Sequence, residues 1–562
     1  MDDIDSLLSQ MRITGVDHLL VAAAFCRRIG LIETVDRVVP TGMEVSVGTV
    51  TQGMVLDTLS GRSPLYRLVE FFQQQDARLL LGAEVPASAF NDTTVARAMD
   101  AIYAAGAGRL FSEVAYQAAV RFPQDLRNVR WDSTSVNVWG DYRTAGPDGD
   151  RLVITHGYSK DHRPDLKQFL LEMLCVGRNV PLLGACRNGN ASDKCLNNDL
   201  LTRISKDMAR HGLAVGDFLY VADSALVSES NLRQVGDNLF VTRLPFSYAE
   251  TDRVVAEAVA SACWEQIGAL AETPATEKRP AAQYRVTEKQ VELYDKTYRA
   301  VVVHSSAHDK RRMKSIDRQM AREAEGLTVL CRRQARREYF CRADAQAESQ
   351  RLQAQGGHFH RIDTVVLEKV RHPPGRPPRD RPRPVASIRY TVQARAEPDP
   401  PRVARRREEA GCFVLLSNAP PQGPRARSGP DLLRAYKDQH AIERNFSFLK
   451  DPLIVNDVFL KTPERIEALG AILLISLLVW NLIEHTMRKH VTHTAIPLPG
   501  WDGKPTRRPT TFMMTTKFAG LQIVRIGNHY RLAQPLREVQ AAYLRALDLS
   551  LDDLLPAPTG PP

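Results

Sequence analysis

The chain has 562 residues, and its 75 lysines and arginines against 65 aspartates and glutamates give a formal net charge of +10. Hydrophobic residues make up 43% and charged residues 25%, which is ordinary for a soluble globular protein and excludes wholesale disorder. At roughly 100–200 residues per domain, the length predicts three or four domains. The basic excess favours a polyanionic partner.

The sequence carries no recognisable membrane or export signal. Its most apolar run, residues 470–482, is shorter than the roughly 18 residues that a membrane span needs. The acidic start, Met1-Asp-Asp-Ile-Asp, lacks the positive charge of a signal peptide. The eight cysteines include no C-x-x-C pair, which favours reduced thiols over a disulfide framework or a zinc site. We expect a cytoplasmic protein without a membrane partner.

Residues 1–125 form the first predicted domain, and their pattern is helical. Apolar residues recur at helical spacing, and Asn91 is placed to cap a helix that begins near Thr94. The predicted helices are Val16–Val39, Thr49–Leu59, Pro64–Phe72 and Thr94–Ile102. Short helices joined by tight turns suit a helix-turn-helix-like module that binds DNA ends. A helical packing or dimerisation domain explains the same pattern equally well.

Residues 126–245 change to a pattern of strands and helices. Strands are predicted at Asn128–Trp139, Leu152–His156, Leu166–Val176, Phe218–Asp223 and Leu239–Leu244, with helices at Asp193–Arg210 and Ser228–Val235. The resulting order, β-β-β-α-β-α-β, is that of an RNase H-like core. The expected fold class is therefore α/β, with a mixed sheet and helices on both faces.

The remainder of the chain divides into three predicted segments. Residues 246–410 interrupt the α/β pattern as an insertion domain, and Arg371–Ala410, with nine prolines and eleven arginines, is expected to be extended and solvated. Residues 411–490 resume the core with a strand, Cys412–Ser417, and two helices, Asp431–Lys450 and Thr462–Lys489. Residues 491–562 are expected to form a small appended C-terminal region.

Two aspartates are predicted at strand ends, where an α/β sheet usually places its chemistry. They are Asp132 and Asp223, although a lone aspartate in this position is often only a turn or cap residue. In the predicted helix Asp431–Lys450, an angle of about 100° per residue puts Tyr436, Gln439, Glu443 and Lys450 on one polar stripe. Such a stripe suits a site for phosphate and metal, but it also suits a plain solvated helix face.

The spacing Tyr436-x2-Gln439-x3-Glu443-x6-Lys450 resembles the Y-R-E-K signature of bacterial DDE insertion-sequence transposases. Gln439 stands where the signature has arginine. The segments 157–168 (GYSKDHRPDLKQ) and 221–225 (VADSA) are similar to segments of the same group, and the resemblance spans about residues 128–489.

The resemblance implies a catalytic triad of Asp132, Asp223 and Glu443, which would also hold two Mg²⁺ or Mn²⁺ ions. Tyr436, Gln439 and Lys450 would bind the DNA backbone. The implied activity is cut-and-paste transposition, with terminal inverted repeats and target DNA as partners, a dimer on DNA, and a cytoplasmic, nucleoid-associated location. Two alternatives stay open: another RNase H-like metal-dependent DNA nuclease, and a catalytically inactive DNA-binding protein.

Overall fold

The computed structural model describes residues 11–61, 67–140, 142, 151–177, 179–210, 212–270, 280–307, 310–376, 382–438, 440–451 and 460–555. Of the residues described up to 125, most are helical, and they include one short strand. The elements are β1 (Met11–Gly15), α1 (Leu19–Arg28), α2 (Leu31–Val38), α3 (Val47–Leu59), α4 (Leu68–Gln74), α5 (Ala77–Leu81), α6 (Asp92–Ala105) and α7 (Ala107–Arg121). The predicted cap is present, because the Asn91 side chain accepts a hydrogen bond from the Thr94 backbone N–H at 3.1 Å.

The next segment alternates strands and helices. Its elements are β2 (Asn128–Val138), β3 (Lys167–Val176), β4 (Val180–Arg187), α8 (Asp193–Ala209), β5 (Leu219–Val221), α9 (Glu229–Val235) and β6 (Leu239–Leu244). Residues 249–417 follow with α10 (Ala249–Ser261), β7 (Glu265–Ala269), β8 (Gln283–Leu293), β9 (Lys296–Ser305), α11 (Lys310–Gln334), β10 (Glu338–Tyr339), α12 (Arg342–Ala354), β11 (His360–Arg371), β12 (Ser387–Pro398), α13 (Pro400–Ala410) and β13 (Cys412–Ser417).

The last part of the chain is mainly helical. Its elements are α14 (Gly429–Lys437), α15 (His440–Leu449), α16 (Pro463–Thr494), β14 (Leu498–Pro499), β15 (Pro505–Thr506), α17 (Thr511–Phe518), β16 (Gln522–Ile526), β17 (His529–Leu532), α18 (Glu538–Ala546) and α19 (Leu551–Leu554). The chain divides into two compact units. The first runs to Val241 and resumes at Ala435, and the second is Thr242–Arg434.

The first unit contains five strands of a large mixed sheet, in the order β4-β3-β2-β5-β6. Strands β2, β3 and β4 are antiparallel neighbours, whereas β5 runs parallel to both β2 and β6. Helices and strands alternate through this part of the chain. The expected mixed α/β fold class is confirmed at that level.

One predicted strand of this sheet is wrong and one observed strand was not predicted. Residues 152–156 form only an isolated bridge, between Thr155 and Gln168. The third antiparallel strand is instead β4, which contains Pro181 and Gly184. Proline is tolerated at the edge of a sheet, and β4 is an edge strand. A Cβ at Gly184 would lie 2.6 Å from Leu474 Cδ1 of α16 and 3.1 Å from the Glu172 carbonyl oxygen, so any larger residue there would displace a neighbour.

The long helix α16 forms the centre of the first unit. It packs against α1, α3, α6, α7 and β4. By length and composition it is apolar enough to cross a membrane, but 89% of its most apolar window is buried inside the protein, as in the core helix of a soluble protein. A Cβ on Gly470 would lie 2.4 Å from Cys186 Sγ, so this glycine permits the close approach of α16 to β4.

The C-terminal residues belong to the same unit as the N-terminal helices. Strand β16 pairs antiparallel with β1, joining Met11 to Ile526. The Arg28 guanidinium donates to the Leu547 carbonyl at 3.1 Å. These contacts connect residues 11–28 to residues 522–547.

In the second unit, β13, β9, β8 and β7 are neighbours in one sheet, and β10, β12 and β11 form another. The second sheet packs on α11 and α12 around a core of Cys331, Ala345, Leu352, Ile362 and Val392. The prediction that residues 371–410 are wholly extended and solvated is wrong, because they include β12 and α13. Pro400 and Pro401 fit the first turn of α13, where no backbone N–H is required, and Asp399 caps that helix.

Candidate catalytic site

Asp132 lies on β2, and Asp223 lies just beyond the end of β5, the parallel neighbour of β2. Strands β2 and β5 pair in register up to Arg130 and Val221. Asp132 comes two residues after Arg130, and Asp223 comes two residues after Val221. Because the strands are parallel, both aspartates lie beyond this pair in the same direction along the sheet. The strand order therefore brings together two carboxylates that are 91 residues apart in sequence (223 − 132).

The prediction that Asp132 lies at a strand end is wrong, because β2 continues to Val138. Its Oδ1 accepts a hydrogen bond from the Ser133 backbone N–H at 2.7 Å and lies 3.6 Å from Lys160 Nζ. The same ammonium donates to the Ser133 carbonyl at 2.6 Å. Lys160 is a residue of this site to which no role was assigned from the sequence, although it lies in the 157–168 segment that carries part of the resemblance.

Asp223 comes two residues after the end of β5 and caps a short 3₁₀ turn, Ser224–Leu226. Its Oδ1 accepts from the Ala225 backbone N–H at 3.1 Å, so the cap role considered for this residue is present. The charges of both aspartates affect the pKa of Tyr220, which is fully buried. Burial raises the pKa of its phenol well above the usual value, and the negative charges of Asp223 and Asp132 raise it further. The charges of both carboxylates thus act on one buried phenol.

The predicted single helix from Asp431 to Lys450 is wrong, because the chain forms two helices, α14 and α15. Asp438 lies between them and places its carboxylate Oδ2 3.5 Å from Arg130 Nη2. The polar stripe of Tyr436, Gln439, Glu443 and Lys450 was placed with one angle per residue along a single helix. That placement does not hold across two helices. Tyr436 is half-buried near the end of α14, and Gln439 lies outside the described residues.

Glu443 is in α15, and its side chain lies outside the described part of the protein. The backbone of α15 is nevertheless well anchored. Ile442, Phe446 and Leu449 are buried, as the apolar spacing predicts, and α15 packs on β2, the strand that carries Asp132. The helix of the third predicted carboxylate thus contacts the strand of the first.

Asn445 fixes α15 through polar contacts in the core. This side chain is only 2% exposed. Its Nδ2 donates to the Asn179 carbonyl at 2.9 Å, and its Oδ1 accepts from Asn481 Nδ2 at 3.0 Å. Asn179 lies in the β3–β4 turn and Asn481 in α16. Asn445 therefore connects α15 to the sheet and to the central helix.

Lys450, predicted to bind DNA, forms an ion pair with Asp161. The Lys450 Nζ and Asp161 Oδ1 atoms are 2.6 Å apart, and their side chains are 26% and 31% exposed. Asp161 also accepts from Asn137 Nδ2 of β2 at 3.3 Å. In the same loop, Arg163 pairs with Asp165 at 2.8 Å. Adjacent residues 160 and 161 thus contact Asp132 and Lys450.

The donor atoms available at this site are hard carboxylate oxygens, which are the ligands that Mg²⁺ and Mn²⁺ prefer. Among the side chains that the structure describes, no group of three potential metal-ligating residues is present. Asp132 and Asp223 supply two carboxylates, and the Glu443 side chain is not among those described. The chemistry of the donors fits a divalent ion.

Residues 11–116 match the family model of a domain of unknown function, DUF4277, which is found in transposase-like proteins. The match covers β1 and extends from α1 into α7, all within the first unit. Comparison of the chain with curated proteins found no match. The matched domain thus lies in the N-terminal helices, whereas Asp132 and Asp223 lie on or next to strands of the sheet that follows.

Proposed function

We propose that this protein is a DNA transposase of the DDE type, whose β4-β3-β2-β5-β6 sheet is an RNase H-like core. The observation that carries the proposal is that Asp132 and Asp223 each lie two residues beyond the last paired residues, Arg130 and Val221, of two parallel neighbouring strands. Support also comes from the packing of the Glu443 helix on β2 and from the DUF4277 match at residues 11–116. In this interpretation residues 246–410 are an insertion domain, and they fall within the second compact unit, Thr242–Arg434.

Asp132, Asp223 and Glu443 would hold two Mg²⁺ or Mn²⁺ ions in this proposal. When bound, such ions supply activation of the attacking oxygen and stabilisation of the leaving oxygen in phosphoryl transfer. Tyr436, Gln439 and Lys450 would hold backbone phosphates, and the Lys450 ammonium would have to exchange its Asp161 carboxylate for one of them.

The proposed reaction has two steps at one site. Water attacks a phosphodiester at the element boundary, the P–O3′ bond breaks, and a free 3′-hydroxyl remains. That hydroxyl then attacks a phosphodiester of target DNA and displaces a second 3′-hydroxyl. In the first step phosphorus exchanges its 3′-oxygen for the oxygen of water and leaves a 5′-phosphate, and in the second step it exchanges one 3′-oxygen for another. In each step the proton of the attacking group is lost and the departing 3′-oxygen gains one, so no redox partner is needed. Because two element ends are joined to one target, the protein would act as at least a dimer on DNA, in the cytoplasm and at the nucleoid.

The test is cleavage of DNA that carries the flanking element ends, with Mg²⁺ or Mn²⁺, by the full chain and by Glu443→Gln. The substitution keeps the size of the side chain and removes its charge. We expect the variant to bind DNA normally and to cut at least roughly 100-fold more slowly. Glu538→Gln, which changes an exposed glutamate of α18, is the matched control and should cut normally.

Equal cutting by the full chain and Glu443→Gln would remove Glu443 from the triad. Hydrolysis without strand transfer from a pre-cut end would favour the nuclease alternative. DNA binding without any metal-dependent cutting would favour an inactive DNA-binding protein.

A further inference from the structure

The loop of residues 157–165 is tied to β2 by polar contacts. The Lys160 backbone N–H donates to Ser135 Oγ at 3.1 Å, and Asn137 Nδ2 donates to the Asp161 carboxylate at 3.3 Å. Ser135 and Asn137 are two residues apart on β2, so their side chains face the same side of the sheet. Loop and strand belong to the first unit. The position of the loop backbone is therefore set by the strand that carries Asp132.

Lys160 is the cation of this loop that contacts the candidate site. Its Nζ donates to the Ser133 carbonyl at 2.6 Å and to Ser133 Oγ at 3.4 Å. The same Nζ is 3.6 Å from Asp132 Oδ1. A lysine ammonium is a strongly hydrated charge on a flexible carbon stem. Here it is held by a backbone carbonyl as well as by the charge of its partner, so its place beside Asp132 is fixed.

The ammonium compensates negative charge that is concentrated in this region. The charges of Asp132 and Asp223 both raise the pKa of the buried Tyr220 phenol. Like charges in one region repel each other. The Lys160 and Asp132 side chains are 32% and 25% exposed, so solvent screens their attraction only in part. Lys160 therefore supplies positive charge where a divalent ion on Asp132 would supply it.

The next residue, Asp161, has the opposite charge and engages the opposite kind of group. Its Oδ1 lies 2.6 Å from Lys450 Nζ. Two consecutive residues thus pair with a candidate metal ligand, Asp132, and with a candidate phosphate-binding residue, Lys450. These are the groups that a metal ion and DNA would engage in the proposed function. In the free protein, the loop provides the counter-charges for both.

We propose that Lys160 is a positioning residue of the metal site, which holds Asp132 as its counter-ion until a divalent ion binds. The inference rests on the proposed function. When the ion binds, the Lys160 ammonium leaves Asp132 and takes a DNA phosphate as its new anionic partner. Lys160 therefore weakens metal binding by the free protein and couples it to DNA binding. By linkage, each of the two ligands then raises the affinity for the other.

The experiment measures Mn²⁺ binding as the loss of the electron paramagnetic resonance signal of free Mn²⁺, a readout that does not require cutting. Without DNA, we expect Lys160→Met to bind Mn²⁺ about 5-fold more tightly than the unmodified chain, because a like charge is removed. Lys160→Arg keeps the charge and should bind Mn²⁺ as weakly as the unmodified chain. Lys167→Met is the matched control, since it removes a nearby lysine whose Nζ donates to the Tyr142 carbonyl at 2.6 Å, and it should leave the affinity unchanged.

A second arm adds duplex DNA without element ends, with the Mn²⁺ bound by the duplex alone subtracted. The duplex should tighten Mn²⁺ binding by the unmodified chain and by Lys160→Arg, and tighten it less in Lys160→Met. Equal tightening in the unmodified chain and Lys160→Met would overturn the inference, because the ammonium would then have no part in the coupling.

Asp132→Asn separates failure of this inference from failure of the proposed function. Absence of Mn²⁺ binding by the unmodified chain, or equal binding by Asp132→Asn, would overturn the proposed metal site and this inference together. Binding that requires Asp132 but is equal or weaker in Lys160→Met would overturn the inference alone. Metal-dependent cutting that is lost in Glu443→Gln would then still support the proposed function.

Discussion

The ion pair between Lys450 and Asp161 makes a sharp prediction about DNA affinity. If Lys450 binds a backbone phosphate, its ammonium must first leave the Asp161 carboxylate, which is 2.6 Å away. Asp161→Asn removes this competing charge and keeps a side chain that can still contact Asn137. We therefore expect the variant to bind DNA more tightly than the unmodified chain.

The size of the effect follows from the exposure of the pair. Both side chains keep about a quarter to a third of their surface in contact with solvent. Pairs of this kind are screened and contribute about 0.5–1 kcal/mol. Since 1.4 kcal/mol is tenfold in affinity, Asp161→Asn should tighten DNA binding by about 2- to 5-fold. The free energy of unfolding should fall by about the same 0.5–1 kcal/mol.

The assay is fluorescence anisotropy of a labelled duplex, titrated at several salt concentrations because phosphate contacts weaken with salt. Asp165→Asn is the matched control, since it removes the same charge from the same loop but releases Arg163 instead. Lys450→Met should weaken DNA binding. Adding Asp161→Asn to that variant should not restore the DNA affinity, because the ammonium that Asp161 competes for is no longer present. If Asp161→Asn and Asp165→Asn change the affinity equally, the tighter binding is a general charge effect and the competition for Lys450 is refuted.

Two further predictions concern stability. Asn445→Ala leaves the buried Asn179 carbonyl and Asn481 amide with fewer partners, so the free energy of unfolding, measured with urea, should fall by about 1–3 kcal/mol. Arg444→Ala, which changes an exposed residue of the same helix, is the control. Equally small losses of stability in the two variants would contradict this prediction. Glu323 accepts from three backbone N–H groups and from His360, and despite the opposing effect of burial these bonds hold its pKa below the usual value. The contribution of Glu323 to the free energy of unfolding is therefore present above the ordinary carboxyl pKa and is lost as the pH falls through the lowered pKa. Glu323→Gln should make the free energy of unfolding of the second unit fall less steeply at acidic pH. An unchanged fall at acidic pH would contradict the assignment.

Sequence patterns predicted the sheet well where the strand residues were uniform. The strands β2, β3 and β13 begin and end within about one residue of the predicted ranges, because continuous β-forming runs end at turn residues. Strand β4 escaped prediction because Pro181 and Gly184 normally argue against a strand. Its position at the sheet edge and the passage of α16 over Gly184 explain both residues, and neither fact is visible in local sequence.

The candidate site shows the same division. Asp132 and Asp223 could be selected from the sequence because each belongs to a recognisable strand motif. The contacts Lys160–Asp132 and Asp161–Lys450 could not be predicted, since they join residues 28 and 289 positions apart through tertiary packing. The interruption of the predicted helix near Asp438 was also hidden, because helical spacing on both sides of the break is favourable.

The central position of α16 has a consequence for how the chain is made. In the range of the 11–116 match, α1, α3, α6 and α7 pack against α16, which begins at Pro463. The separation is 347 residues (463 − 116), and at about 5–20 residues per second a ribosome needs roughly 17–70 s to synthesise it. During that time the N-terminal helices lack the surface that completes their core. Newly made N-terminal segments are therefore candidates for chaperone binding, and early termination of translation would release fragments with exposed apolar helices.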